Sequence, residues 1–176
     1  MVERKYTPYV PAEKKFPELT QRQKLQLFDI EPSSSQGLEQ RPCRVILNDD
    51  QVFDNVYIAE AKPYIKHWGA WPEDDPGKKS LDITKVKDIS SSPNRLPAFL
   101  SNKLYSAGES VMGGLFFTIL FSDASEQAYE YGGALDFITL PDDKTFSDII
   151  DVVPHKGHEK ENKLVGPDFY WCLYDK

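Results

Sequence analysis

Sulfur and imidazole are scarce in this chain of 176 residues, which has two cysteines, two methionines and three histidines. Cys43 and Cys172 cannot build a zinc site alone, and no C-x-x-C pair occurs. Cys172 lies in FYWCLY, an apolar, strand-like run, and reads as a small buried thiol. Whether it pairs with Cys43 stays open. Cationic charge is short as well: 21 Lys and Arg stand against 28 Asp and Glu, a formal charge of −7. Such a surface repels phosphate backbones, so nucleic acid is not an expected partner; it favours solubility first and also suits a basic protein partner. Long apolar runs are also missing. The longest, in GGLFFTILF, falls far below the ~20 residues of a membrane helix, and MVERKYTPYVPAEKKF has no apolar stretch of leader-peptide length. These gaps lead to the expectation of a soluble, cytoplasmic protein with no membrane partner. Oligomeric state stays open.

Apolar and aromatic mass is plentiful, with 10 Phe, 9 Tyr and 3 Trp among 40% hydrophobic residues, enough for a core. Pro8, Pro11 and Pro17 make residues 1–18 an extended arm. Residues 19–176 read as a single domain, with a hairpin-rich part over 42–89 and a sheet part over 96–176. LTQRQKLQLFDI (19–30) has helical spacing, with Thr20 as the cap. EPSSSQGLEQRP (31–42) reads as a linker. CRVILNDDQVFDNVYIAE reads as two strands joined by an NDD turn, and AKPYIKHW (61–68) as a continuation of the second. SLDITKVKDI (80–89) fits a strand with a short 3₁₀ turn. A second helix spans roughly 96–107, closed by Gly108.

VMGGLFFTILF is apolar on both faces and predicts a central strand covered on both sides. QAYEY and ALDFITLP follow as strands, FSDIIDVVPH as a turn leading into a strand, and FYWCLY as the closing strand. The expected fold is therefore α+β, mainly antiparallel β, with an SH3-like, barrel-like or strongly twisted sheet and two short helices. Residues 44–89, with a hairpin around NDDQ and a strand ending VKDI, resemble in pattern the small SH3-like or Sm-like barrels. The stretch lacks the basic residues that would carry RNA recognition, so no site residue is carried over from that resemblance.

Four stretches contain residues of chemical interest. In VVPHKGHEKE, His155 and His158 sit three apart. A metal needs three or four converging ligands, and His67, Glu159, Asp136 and Glu109 are candidates to join them. Pro154 and Gly157 disfavour the helix that would give the spacing meaning, which favours a solvated loop. In KHWGAWPEDDPG, Trp68 and Trp71 stand beside Glu73, Asp74 and Asp75. An aromatic face rimmed by acids receives a Lys or Arg side chain, whereas the plainer alternative folds both rings onto the core. YSAGESVMGG offers Ser106, Glu109 and Ser110 among glycines, without a nucleophile elbow or a phosphate loop. Glu109 with Asp136 forms a conceivable acid–base pair.

The preferred functional expectation is a non-catalytic binding or interaction protein without a cofactor, such as an inhibitor or immunity-type protein for a basic partner. It rests on Trp68, Trp71, Asp74 and Asp75. One alternative is a small metal-dependent hydrolase using His155, His158, His67 and a carboxylate. Another is a small-molecule-binding barrel with a cavity lined by Phe117, Tyr129 and Tyr131.

Overall fold

The computed structural model describes residues 8–158, 160 and 163–176. The arm's residues 1–7 lie outside them. Thr20 opens the first helix: its hydroxyl accepts the Gln23 amide, and the Gln23 side chain accepts the Thr20 amide. This capping box satisfies two otherwise orphaned donors. The helix, α1 (Gln21–Phe28), turns Gln23 and Leu27 inward.

Strands β1 (Ser33–Ser35) and β2 (Leu38–Leu47) form an antiparallel hairpin around Gln36 and Gly37, whose φ angles are 47° and 88°. The polar composition of 31–42 predicted a linker here. A strand forms instead, with Ser33 wholly buried because its hydroxyl has a buried acceptor, the Asp136 carboxylate. β3 (Val52–Glu60) pairs antiparallel with β2 through the NDD turn, as the sequence predicts.

Residues 61–68, expected to continue the strand, are instead the helix α2 (Ala61–Trp68). Pro63 sits in its first turn, where a missing N–H costs nothing, and Gly69, at φ 73°, donates to the Ile65 carbonyl at 2.9 Å. The remaining elements are β4 (Ser80–Asp82), β5 (Val86–Ser91), α3 (Ala98–Ala107), β6 (Leu115–Phe121), β7 (Glu126–Tyr131), β8 (Ile149–Pro154), β9 (Leu164–Val165) and β10 (Tyr170–Tyr174). The fold is thus α+β, with three α-helices rather than two among the described residues.

The strands form two open sheets, not a barrel. The first runs β1-β2-β3-β10-β4, with β5 on the second half of β2; the second runs β8-β6-β7-β9. Pairing is antiparallel except at β10, which is parallel to β3 and β4, and at β9, which is parallel to β7. The expectation of mainly antiparallel β holds only approximately for this reason. β3 separates the two cysteine-bearing strands. Cys43 on β2 and Cys172 on β10 are thus two strand spacings, about 10 Å, apart, beyond the reach of a disulfide. Both are free, and burial pushes both thiols well up.

Exposed sheet edges are managed by side chains. Along β5, Gln26 accepts the Ile89 amide, and Gln23 donates to the Ile83 and Val86 carbonyls. On β8, Pro154 has no N–H, and the Val152 amide is taken by Asp151 at 2.8 Å. Both devices block pairing with a further strand.

Three cores follow from this layout. One lies between α1 and the first sheet, around Val45, Val56, Ile58 and Cys172. A second lies between α3 and the second sheet, around Leu104, Phe117, Ile119 and Tyr129. The third is aromatic, built by Tyr57, Tyr64, Trp71, Phe137 and Trp171. β6 is buried along both faces, as its composition predicts. Residues 134–141, expected as a strand, make only a single bridge, Arg95 to Phe137. Among the described residues, no helix is long and apolar enough to cross a membrane.

Candidate functional site

Asp136 joins the two halves. It is wholly buried, and its Oδ2 accepts four hydrogen bonds: from Ser33 of β1 (2.9 Å), Gln40 of β2 (3.3 Å), Tyr57 of β3 (2.9 Å) and Tyr105 of α3 (2.8 Å). Each tyrosine hydroxyl also accepts a backbone amide, that of Asp136 at Tyr57 and that of Leu135 at Tyr105. Burial and the nearby carboxylate raise both phenols well above their usual range, so both remain donors. A buried acid that receives this many donors fixes geometry. Here it holds the ring of Tyr105 in the wall of a cleft.

That cleft has a volume of about 250 Å³ and opens where α2, α3, the β1–β2 turn and two glycine loops meet. His67, Trp68, Tyr105 and Glu109 supply its chemistry, and Gly108, Gly113, Gly114, Gly132 and Gly133 line much of the remainder. Among the described residues, no Lys or Arg borders it. Glu109 Oε2 accepts the Gly113 amide at 3.2 Å, which orients the carboxylate. Burial first, and then the Lys78 charge, lower the pKa of His67, so its imidazole is neutral at neutral pH. Met112, at the tip of the glycine turn, is fully exposed. Trp68 also borders a second cavity of about 390 Å³, together with Tyr131, Phe137, Phe169, Trp171, Lys78 and Glu130. The Lys78 ammonium lies 3.7 Å from the Trp68 ring centroid.

The residues singled out from the sequence are placed differently from one another. Trp68 stands in the cleft wall. Trp71, three residues on, is buried: its ring lies 5.0 Å from Phe16, and its indole N–H donates to the Ala12 carbonyl at 2.7 Å. The acids beside it have internal partners. Lys14 reaches Glu73 at 3.4 Å and Asp74 at 3.1 Å, and Lys78 reaches Asp75 at 2.7 Å. The arm over 8–18 is therefore a strap, held also by the Asp175 amide on Pro17 and the Phe16 amide on the Asp175 carboxylate.

The histidines do not gather. His155 is buried, with Nε2 2.6 Å from Thr118 Oγ1, whereas His158 is exposed with its ring 4.4 Å from Phe116. His67 is on α2, in the cleft. Gly157 turns the loop at φ 85°. Glu159 lies outside the described residues, and among those described no three His, Cys, Asp or Glu side chains could hold a metal. Ser110 Oγ accepts the Phe116 amide and points its single hydrogen at the His155 carbonyl (2.8 Å), with the Phe116 carbonyl more distant at 3.2 Å, so it staples backbone. Ser106 is exposed and borders neither cavity. Glu109 is exposed in the cleft, whereas Asp136 borders neither cavity. Phe117 and Tyr129 are stacked core rings, 5.3 Å apart, and of the three aromatics proposed to line a cavity only Tyr131 does so.

Sequence reasoning missed Tyr105, Tyr57, Gln40 and Ser33 as a set, and missed Lys14 and Lys78 as the cations of the tryptophan loop. The acid-and-aromatic composition of 68–75 signalled that some cation belongs there, but not that the chain supplies it. No family model, no curated protein and no solved structure matches this chain.

Proposed function

We propose that this chain is a non-catalytic binding protein that engages a basic protein partner, in the manner of an inhibitor or immunity-type protein. The carrying observation is the cleft beside Trp68, which combines a carboxylate, aromatic rings and a neutral imidazole, with no Lys or Arg among the described residues that line it. The net charge of −7 favours approach of a basic surface. Met112, fully exposed next to the cleft-lining Gly113, adds an adaptable apolar contact of the kind enriched at protein interfaces. Two of the side chains with nucleophile or base chemistry serve other ends: Ser110 is spent on backbone and His155 on Thr118. A cytoplasmic setting belongs to this reading and suits two free thiols.

The test is affinity capture from native lysate with the natural chain, Trp68→Ala and Glu109→Lys, followed by titration of the purified partner. The expected partner is basic, and its affinity falls about tenfold or more between low and high salt and with Glu109→Lys. An acidic partner, or an affinity insensitive to both salt and Glu109→Lys, would sink the reading.

A further inference from the structure

We infer that the cleft is an anchor slot for a single arginine side chain, with the guanidinium between the Trp68 and Tyr105 rings and the Glu109 carboxylate. This deepens the proposed function and takes its biological occupant from that reading, but its chemistry stands on the cleft alone.

Size speaks first. About 250 Å³ lies below the roughly 300–1,000 Å³ of small-molecule pockets, and suits one long side chain. Charge speaks next. Among the described residues Glu109 is the only carboxylate bordering the cleft, no Lys or Arg neutralises it there, and the Gly113 amide holds only its Oε2. A neutral His67 does not repel a cation and offers a nitrogen lone pair.

The aromatic walls supply cation–π attraction. The chain itself uses Trp68 in this way for Lys78, which borders the second cavity and not the first, so the slot stays open. Tyr105 cannot turn away, since its hydroxyl is fixed by Asp136, Gln40 and the Leu135 amide. Gly133 is specifically required, being at φ 123° with a would-be Cβ 3.4 Å from Trp68. Arginine fits better than lysine because its planar, delocalised cation both stacks on rings and forks onto a carboxylate.

The experiment titrates the full chain with N-acetyl-arginine amide, the corresponding lysine amide and the citrulline amide, a neutral isostere of arginine. The readout is the Trp68 indole N–H resonance, assigned by its loss in Trp68→Phe. Saturable shifts with a Kd on the order of a millimolar are expected for the arginine compound. The lysine compound should bind about threefold or more weakly, and citrulline should not saturate. Glu109→Gln, an exposed and isosteric change, should weaken arginine about tenfold.

Equal binding of citrulline, no saturation by arginine, or an unchanged Kd in Glu109→Gln would overturn the slot. Arginine binding as expected in a chain that forms no complex with a basic protein would keep the slot and reject the partner reading. A basic partner whose affinity ignores Glu109→Gln would do the reverse.

Discussion

Trp68 and Trp71 stand three residues apart and have opposite uses. Both rings lie beside carboxylates, and either could take a cation. At Trp71 the chain provides its own: Lys14 pairs with Glu73 and Asp74, Phe16 packs on the ring, and the Ala12 carbonyl takes the indole N–H. Trp68 has Lys78 over its ring, but no Lys or Arg among the described residues lines the cleft it walls on the Glu109 side. The difference teaches that an acid-and-aromatic pair is a receptor only where the fold leaves it unfilled. The same composition builds a structural strap at Trp71 and, as we propose, an arginine slot at Trp68.

The largest effect should come from breaking the filled member. Trp71→Ala removes a buried ring and should cost about 3–5 kcal/mol. In a chain of this length that lowers the thermal midpoint by roughly 10 °C. The folded protein should still bind N-acetyl-arginine amide with an unchanged Kd at low temperature. A thermal midpoint within ~3 °C of the natural chain, or a lost arginine response, would dissolve the contrast.

Asp136→Asn tests the joint beneath the cleft. An amide offers its own N–H donors where four donors now converge on one carboxylate oxygen, so urea denaturation should show a loss of about 1–3 kcal/mol. Tyr105 would keep Gln40 and the Leu135 amide but lose the charge on its third partner, and arginine binding should weaken with it. A stability loss with no change in that Kd would mean that Asp136 does not position the cleft wall.

Lys14→Met sharpens the comparison by emptying the filled site. Both partners of the Lys14–Asp74 pair are about a third or more exposed, so stability should change by less than about 1 kcal/mol. The uncovered carboxylates at 73–75 should now respond to N-acetyl-arginine amide as a second, weaker site, read from the backbone amides of 71–75. Silence at those amides would show that the strap's backbone, rather than its cation, closes the loop.

The elements legible in the sequence are those set by neighbours. Thr20 and Gln23 cap a helix because they stand three apart, the NDD turn folds on itself, and LFFTILF is apolar on both faces wherever it lies. The misread elements are set by distant partners. Ser33–Ser35 is a strand because its hydroxyl has a buried acceptor 103 positions away, and the other side chains that bond Asp136 lie 31 to 96 positions from it. Residues 61–68 show a different failure. Ala61, Tyr64, Ile65 and Trp68 recur at helical spacing, but eight residues after a β-rich run read as strand when Pro63 is not taken as a first-turn residue. The candidate site was half visible: Trp68, His67 and Glu109 could each be named, but not their meeting with Tyr105, because Tyr105 and Glu109 lie beyond the next two strands.

The smallest effect concerns His67. Burial and Lys78 hold its pKa below the ordinary imidazole value of about 6.5. As pH falls through that value, the unfolded chain takes up a proton that the folded chain still refuses. The unfolded state then binds more protons, and stability declines until the folded imidazole also titrates. Because the ring is only partly buried, solvent screening keeps the loss below about 1 kcal/mol. His67→Gln removes the linkage, so its urea midpoint should fall less than that of the natural chain between about pH 7.5 and 5.5. The slot adds a second consequence. A protonated His67 faces the same cleft as the arginine, so acid should weaken N-acetyl-arginine amide binding in the natural chain more than in His67→Gln. Parallel pH slopes for the two chains would mean that the imidazole does not border the bound guanidinium, leaving Glu109, Trp68 and Tyr105 to hold it alone.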